Sequence, residues 1–400
     1  MRIIGFGIID KNIIPVLLGC LFCFLTRLLF TVPNARLFHH AIISNLVGAF
    51  SKLFAFIPLI ILKIRTGKKN NAINKFVINN NISLAEPNNK KNEKNIIKLL
   101  YIILTSILTF IHGLIIIYTL GIKSNCWILE ILMTSIFYYL IFKEKLYKHH
   151  YFSLIIIILT GVVLDLVLGN LQNDFNNNLL LLLLRLIREI LFSLVEVINK
   201  YLMEKKFCSI YEIYFLSGLF LFLFFVIFSI LNYYYFELDN FVEYFNNFNS
   251  TELLVGLGVL ITQFALGIFL LITNKNYTPC HIFIAFVFGQ LAYYMDFSTD
   301  SIISICFFIL ILFMSLVFTE IIEINICGLS ENTRKHIIER ANNDNNFDKK
   351  LTMYSIYEDN ENAKNEIELQ KTLTIISSNG DDDKKNKNKI ELGNSYIIKI

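Results

Sequence analysis

Long apolar segments separated by short polar ones dominate the chain. Apolar segments of about 17–25 residues are long enough to cross a bilayer as helices, and about ten can be counted. We predict spans at residues 13–30, 41–62, 99–120, 127–142, 152–168, 179–203, 213–233, 253–273, 282–294 and 302–322. The first carries Arg27 and lacks a small-x-small cleavage pattern, so we interpret it as a retained span rather than a signal peptide.

The composition agrees with a membrane protein. Of the 400 residues, 55% are hydrophobic and 17% are charged, whereas soluble domains have about 45–50% and about 25%. This argues against a soluble enzyme and against a nucleic-acid binder. The seven cysteines are scattered through apolar segments, which does not indicate a disulfide framework. The net charge of +4 is too small to imply an acidic partner.

Two polar segments interrupt the apolar pattern. Residues 64–97 form a loop rich in Asn and Lys, and residues 329–400 form a polar tail; we predict both to be disordered and cytoplasmic. The remainder divides into two five-helix repeats, residues 1–170 (which include the loop) and 171–328. Because five is odd, the second repeat is inverted relative to the first, an arrangement typical of secondary transporters. We therefore predict an all-α integral membrane protein built from two inverted repeats.

Basic residues indicate the orientation of the chain. Lysines collect in the loops after spans two, four and six, whereas the alternate loops are mainly acidic. By the positive-inside rule, both termini are cytoplasmic. His149 and His150 lie in one of the basic loops and are interpreted mainly as orientation charge. The sequon at Asn249 falls on the luminal side, and its glycosylation stays open, as does dimerisation.

Three segments resemble a known family. Residues 137–146 (FYYLIFKEKL), continuing through Ser153 to residues 161–164, resemble the end of a five-helix unit in the drug/metabolite transporter superfamily. Residues 196–203 (EVINKYLM) resemble the sixth helix of its nucleotide-sugar transporter-like branch, and residues 320–341 resemble that branch's C-terminal stretch. The resemblance covers residues 13–327, although the loop at 296–300 lacks the family's Glu-containing turn. It implies a ten-helix carrier of the Golgi or endoplasmic reticulum membrane, rather than the plasma membrane, that exchanges a nucleotide sugar for a nucleotide monophosphate.

Charged residues within the predicted spans are the candidates for solute binding. A charge at the bilayer centre costs at least about 2.5–3.5 kcal/mol on insertion scales, so it usually faces a partner, a cavity or a substrate. In span six, charged or polar residues recur every three or four positions along one helical face. These could also neutralise one another as i,i+4 pairs, Arg185 with Glu189 and Glu196 with Lys200. The predicted substrate-binding residues are Lys52, Glu130, Arg185, Arg188, Glu189, Ser193, Glu196, Lys200 and Gln263.

Several functions stay open at this point. The leading hypothesis is an alternating-access exchanger of a nucleotide sugar or another phosphorylated anion, with Lys52, Arg185 and Arg188 as counter-charges. A proton- or ion-coupled exporter of small metabolites or amines has the same fold and would use Glu130, Asp165, Glu189 and Glu196. A receptor or scaffold without transport is the third hypothesis. The sequence contains no phosphate loop, zinc-protease motif or dinucleotide fingerprint, so we predict no enzymatic activity, cofactor, metal or nucleic-acid partner; the expected partners are a small solute and the lipid bilayer.

Overall fold

The computed structural model describes residues 4–6, 13–31, 40–65, 88–119, 125–168, 170–236, 250–294, 299–325, 328–333, 335–337 and 340. Nearly all of them are helical. The helices are α1 (Ile14–Phe30), α2 (Ala41–Leu53), α3 (56–65), α4 (Asn88–Tyr118), α5 (Leu129–Phe142), α6 (Lys148–Val167), α7 (Asn170–Glu204), α8 (Ile210–Leu231), α9 (Ser250–Asn276), α10 (His281–Gln290) and α11 (Thr299–Phe318). One-turn 3-10 helices precede α5 (Cys126–Ile128) and follow α10 (Leu291–Tyr294). Residues 66–87 of the predicted disordered loop and most of the tail lie outside the described residues, whereas residues 88–97, predicted as part of that loop, form the beginning of α4.

Several of these helices are long and apolar enough to cross a membrane, as the hydrophobic pattern predicts. Six described segments meet both criteria: Ala41–Arg65, Ile96–Tyr118, Lys148–Val167, Ile210–Tyr235, Glu252–Asn276 and Asp300–Phe318. Three shorter apolar helices span Ile14–Phe30, Cys126–Phe142 and His281–Tyr294. Helix α7 has 35 residues and differs from the others because charged residues interrupt its apolar surface. The prediction of an all-α, multi-pass membrane protein is therefore confirmed.

The main helix contacts fall into a few pairs. Helix α1 packs against α9 and α10, and α7 packs against α4 and α5. Helix α2 packs against α8, and α6 packs against α11. The largest apolar core joins α5, α6, α10 and α11. In it, the Trp127 ring centroid lies 5.5 Å from that of Phe283 and 5.8 Å from that of Phe308.

The second span is broken near its middle. The hydrophobic pattern predicts one continuous helix over residues 41–62, but the helix stops at Leu53 and resumes at residue 56. Pro58 explains the break, since proline has no N–H to donate to the carbonyl of Phe54 and its ring crowds that turn. The Phe54 carbonyl instead accepts from the Ile57 N–H at 3.1 Å, and the Ala55 N–H donates to the Lys52 carbonyl at 3.1 Å.

A polar clamp fixes the beginning of α5 against the end of α6. The Asp165 carboxylate accepts hydrogen bonds from the backbone N–H of Asn125 at 2.8 Å and from its side-chain Nδ2 at 2.6 Å. The Asn125 Oδ1 accepts in turn from the Trp127 indole N–H at 3.1 Å. All three side chains are buried. Asp165, near the end of its span, therefore has a structural role in this part of the fold.

A two-stranded ribbon closes one end of the bundle. Strand β1 (Ile4–Phe6) pairs antiparallel with β2 (Ile322–Ile324), with Gly5 opposite Glu323. The sequence pattern predicts that span ten continues to residue 322, but α11 ends at Phe318 and the chain turns into this strand. Glu323 is buried and accepts a hydrogen bond from the Thr333 hydroxyl at 2.7 Å. The ribbon is therefore tied to the residues that follow it.

Candidate functional site

Helix α7 carries the richest set of polar side chains inside the bundle. Glu189, Ser193 and Lys200 are buried, and Arg188 and Glu196 are half-buried. The Ser193 hydroxyl lies 2.8 Å from the Glu189 carbonyl and 3.1 Å from that of Glu130 on α5. This face of α7 is thus turned toward other helices and away from lipid.

Lys52 lies opposite this face, immediately before the break in the second span. Its Nζ is 5.7 Å from the centroid of the Tyr214 ring, within cation–π range. It also interacts electrostatically with Glu196. Among the described residues, none forms a hydrogen bond or ion pair with this ammonium. Lys52 therefore keeps three N–H donors that the described part of the protein does not engage.

Glu196 is held in place from two sides. The Asn274 Nδ2 donates to the Glu196 carbonyl at 2.9 Å and to its carboxylate at 3.2 Å. The Asn199 side chain also hydrogen-bonds to this carboxylate. Asn274 is fully buried, and its own Oδ1 has no hydrogen-bond partner among the described residues. The carboxylate is therefore fixed beside Lys52 by neutral amide donors.

A second group of charges lies along the same face of α7. The Arg188 guanidinium pairs with Glu189, and its Nε donates to the carboxylate at 3.0 Å. Glu130 is buried and has Glu189, Glu196, Arg188 and Arg27 as electrostatic neighbours. Three carboxylates and two arginines are thus concentrated between α1, α5 and α7.

His112 adds an imidazole from α4 to the same region. Its ring centroid is 5.4 Å from that of Phe192 on α7, and its electrostatic neighbours are Arg188 and Lys52. We define the central polar cluster by the residues that these interactions connect: Lys52, His112, Glu130, Arg188, Glu189 and Glu196. Four helices contribute to it: α2, α4, α5 and α7.

Tyr214 and Gln263 border the cluster on the side of α8 and α9. The Tyr214 hydroxyl donates to the Gln263 backbone carbonyl at 3.1 Å and also hydrogen-bonds to Ser51. Gly267 allows this contact, because a Cβ there would lie 2.0 Å from the Tyr214 hydroxyl. The Gln263 side chain reaches Gly48 on α2, where an added Cβ would lie 3.0 Å from its Oε1.

The Lys200 ammonium bonds outside the central polar cluster. The Lys200 Nζ donates to the backbone carbonyls of Lys275 at 3.0 Å and of Tyr277 at 2.6 Å, and it forms an ion pair with Glu204. It therefore stabilises the C-terminal end of α9. Arg185 lies one turn before Glu189 and has Cys126 as an electrostatic neighbour.

One of the two pairs considered within α7 is not formed. The alternative interpretation paired Arg185 with Glu189 and Glu196 with Lys200; in the structure Lys200 pairs with Glu204 rather than with Glu196, and Glu189 pairs with Arg188. Because Lys200 bonds elsewhere, Glu196 is available to Lys52. The periodicity of α7 could not distinguish these pairings, since each charged residue has several partners within one turn.

Sequence reasoning did not identify three residues that shape the site. Tyr214 and Asn274 do not stand out in the sequence, because aromatic and amide residues are common in the chain, and a single histidine such as His112 is more often a packed residue than a ligand. Arg27 of α1 donates from Nη1 to the Tyr293 hydroxyl at 2.7 Å.

Comparison with known proteins gives no relative for this chain: no family model and no curated protein matches its sequence.

Proposed function

We propose that the protein is a secondary transporter that moves a small organic anion by alternating access, and that the central polar cluster binds the solute. The observation that carries the proposal is Lys52. It presents an ammonium without a hydrogen-bonded partner among the described residues, inside a bundle of membrane-spanning helices, beside a break in its own helix.

The depth of Lys52 supports a role in binding. It is the twelfth residue of the 25-residue span Ala41–Arg65, about 17 Å from its beginning at 1.5 Å per residue, close to the middle of a hydrocarbon core about 30 Å thick. A lysine at that depth is costly unless it faces a partner or a water-filled path. In secondary transporters, substrate sites lie near the midplane and are formed in part by discontinuous helices.

The chemistry of the cluster favours an anion with a phosphate group. An ammonium with three open donors and a nearby guanidinium are the groups that bind phosphate in proteins. Arg188 is paired with Glu189, so an incoming phosphate competes with that carboxylate for the guanidinium. The Tyr214 ring beside Lys52 is buried and fixes the position of the ammonium. A nucleotide sugar, exchanged for a nucleotide monophosphate, is an anion of this kind.

The helix packing supports two inverted five-helix repeats. We take α1 to α6 as one repeat, with α2 and α3 counted as one span, and α7 to α11 as the other. Each span of the first repeat then has a counterpart in the second, and each main contact has a counterpart contact. The packing of α1 on α9 and α10 then corresponds to that of α7 on α4 and α5. The pairs α2 with α8 and α6 with α11 each join a span to its own counterpart in the other repeat. The proposal includes ten spans, cytoplasmic termini and a Golgi or endoplasmic reticulum location.

A second candidate function rests on the carboxylates. Glu130 has two other glutamates as neighbours inside the membrane region, and none of the described residues forms a hydrogen bond with its carboxyl group. A buried carboxyl group in such a place is suited to carry a coupling proton. This arrangement favours a proton-coupled exporter of metabolites or amines with the same fold.

The test uses purified protein in liposomes preloaded with nucleotide monophosphates, with uptake measured for a panel of labelled nucleotide sugars. We expect uptake that depends on a particular nucleotide inside. Loss of one charge-assisted hydrogen bond, worth about 1.5–3 kcal/mol, predicts that Lys52→Ala lowers uptake efficiency about 10- to 150-fold. Lys52→Arg keeps the charge and should retain part of the activity.

Lys206 provides a matched control. Its Nζ lies 5.7 Å from the Tyr201 ring, the same distance as in the Lys52 pair, but it follows the end of α7 at Glu204. Lys206→Ala should leave uptake unchanged. Uptake unchanged in Lys52→Ala would refute the anion site. If folded wild-type protein takes up no member of the panel, a pH-gradient assay with Glu130→Gln tests the exporter.

A further inference from the structure

Three potential metal-ligating side chains meet at the beginning of α6, apart from the central polar cluster. They are His149 and His150, the second and third residues of α6, and Glu320, two residues after α11 ends. One ligand atom from each lies within 4.8 Å of the other two. Helices α6 and α11 pack against each other, so this group, the His–His–Glu cluster, joins two elements that are 170 residues apart in the chain.

His149 lies in the interior of the cluster. It is only 3% exposed, and its Nε2 is 3.0 Å from a Glu320 carboxylate oxygen. Because a carboxylate accepts, Nε2 carries the ring proton in the neutral imidazole and Nδ1 is a lone pair. That Nδ1 is buried and has no hydrogen-bond partner among the described residues. A polar atom left in this state costs about 1–3 kcal/mol.

His150 is held against the same group. Its Nδ1 accepts from the Tyr147 backbone N–H at 3.0 Å, and its ring centroid is 4.0 Å from that of His149. The Phe318 ring packs edge-on at 4.9 Å. The two imidazoles are therefore adjacent and enclosed by aromatic rings, which limits their rotation.

The backbone at Glu320 favours glycine over glutamate. Helix α11 ends in a Schellman turn, in which the Ile321 N–H donates to the Leu316 carbonyl at 3.0 Å and the Glu320 N–H to that of Val317 at 3.1 Å. Glu320 occupies the left-handed position of this turn, with φ of 61°, where glycine is usual. A glutamate there has a conformational cost, and its carboxylate contacts His149.

We propose that the His–His–Glu cluster binds a divalent transition metal ion of the Zn²⁺ class. Two imidazoles and one carboxylate are a known zinc donor set, with bonds of about 2.0–2.2 Å and a fourth position left for water or another ligand. Tetrahedral bonds of that length place ligand atoms about 3.3 Å apart, close to the 3.0 Å between His149 and Glu320.

Binding exchanges hydrogen bonds for metal bonds without loss of a ring proton from His149. The proton on its Nε2 moves to Nδ1, and Nε2 and the Glu320 oxygen then both face the metal. His150 supplies its nitrogen at the expense of the bond from the Tyr147 N–H. The ion thereby ties the beginning of α6 to the turn after α11. This inference does not depend on transport activity.

The experiment measures metal binding by the full chain, purified without a histidine tag and stripped with a chelator. After incubation with Zn²⁺ alone and removal of excess ion, we expect one tightly held Zn²⁺ per chain by elemental analysis, and a rise in the thermal unfolding midpoint. Glu320→Gln, His149→Gln and His150→Gln should each weaken Zn²⁺ binding at least about tenfold, since even an outer partner of a metal ligand has that effect.

Two variants separate metal binding from folding. Glu320→Gly suits the left-handed backbone, so the metal-free protein should unfold at the same or a higher temperature and lose the Zn²⁺-dependent rise. His40→Gln, before the beginning of α2, removes a histidine outside the cluster and should bind as wild type does. The proposal is overturned if the wild type does not bind Zn²⁺. It is also overturned if Glu320→Gln binds Zn²⁺ as tightly as the wild type, as would be the case if thiols of the chain held the ion.

Discussion

The close approach of α2 and α8 beside Lys52 makes Gly218 a sensitive position. A Cβ at Gly218 would lie 2.4 Å from the Cβ of Lys52, 3.3 Å from its carbonyl carbon and 3.4 Å from the Ala49 carbonyl oxygen. These atoms belong to the backbone of α2 or are attached directly to it, so no side-chain rotation relieves the contact. Gly218→Ala therefore requires the two helices to separate.

The expected cost follows from the size of this overlap. Carbon atoms in contact are about 3.5–4.0 Å apart, so α2 and α8 must move apart by about 1 Å. Insertion of a methyl group into a packed core costs about 1–3 kcal/mol, whereas alanine gains about 1 kcal/mol over glycine in a helix. Gly218→Ala should lower the free energy of unfolding by about 0–2 kcal/mol in net terms.

Gly256→Ala in α9 is the matched control, because a Cβ there meets no atom within 4 Å. The gain in helix propensity is common to both variants. The difference between their free energies of unfolding therefore measures the cost of the overlap alone, and it should be about 1–3 kcal/mol. Unfolding can be followed in mixed micelles with a thiol-reactive dye, since Cys20, Cys23, Cys126, Cys208 and Cys280 are buried free thiols.

The same variants test the site. A displacement of about 1 Å at a reacting group can lower the rate of an enzyme about 100-fold. We expect uptake by Gly218→Ala to fall by up to that factor, whereas Gly256→Ala should transport normally. If Gly218→Ala is as stable as Gly256→Ala and transports as well, the helix contact and its link to Lys52 are both wrong.

Two further predictions concern structural bonds. Lys200→Met leaves two backbone carbonyls at the end of α9 without their donor, and should lower the free energy of unfolding by about 1–3 kcal/mol; equal stability to a Lys206→Met control would contradict this role. Asp165→Asn weakens the hydrogen bonds to Asn125, so it should lower the free energy of unfolding by a similar amount. It should also alter the fluorescence of Trp127, the one tryptophan of the chain, and an unchanged emission spectrum would argue against the clamp.

The hydrophobic pattern was sufficient to predict the helices but not where they break or end. Span two contains Pro58, yet the apolar run continues through it, and only the hydrogen bonds around Phe54 show the interruption. Span ten was predicted to reach residue 322 because Ile321 and Ile322 are apolar. In the structure these residues form a turn and a strand, and strand pairing with residues at the other end of the sequence is invisible to local periodicity.

The candidate site was partly predictable for a similar reason. Charges at mid-depth are conspicuous in an apolar run, which singled out Lys52 and the α7 residues. Which charges meet depends on how the helices pack, and no sequence pattern distinguishes Lys52 from Lys200 as the neighbour of Glu196. His149 and His150 were interpreted as loop charge because their contact, Glu320, is 170 residues away.

The ribbon between β1 and β2 constrains the number of membrane crossings. Backbone groups at the edges of a two-stranded ribbon need water, so the ribbon lies outside the hydrocarbon region. Strand β1 precedes every helix and β2 follows α11, and the two strands can pair only in the same compartment. The chain between residues 6 and 322 therefore crosses the bilayer an even number of times. During synthesis, β1 emerges first and its partner follows more than 300 residues later, so the ribbon forms only after α11 has been synthesised.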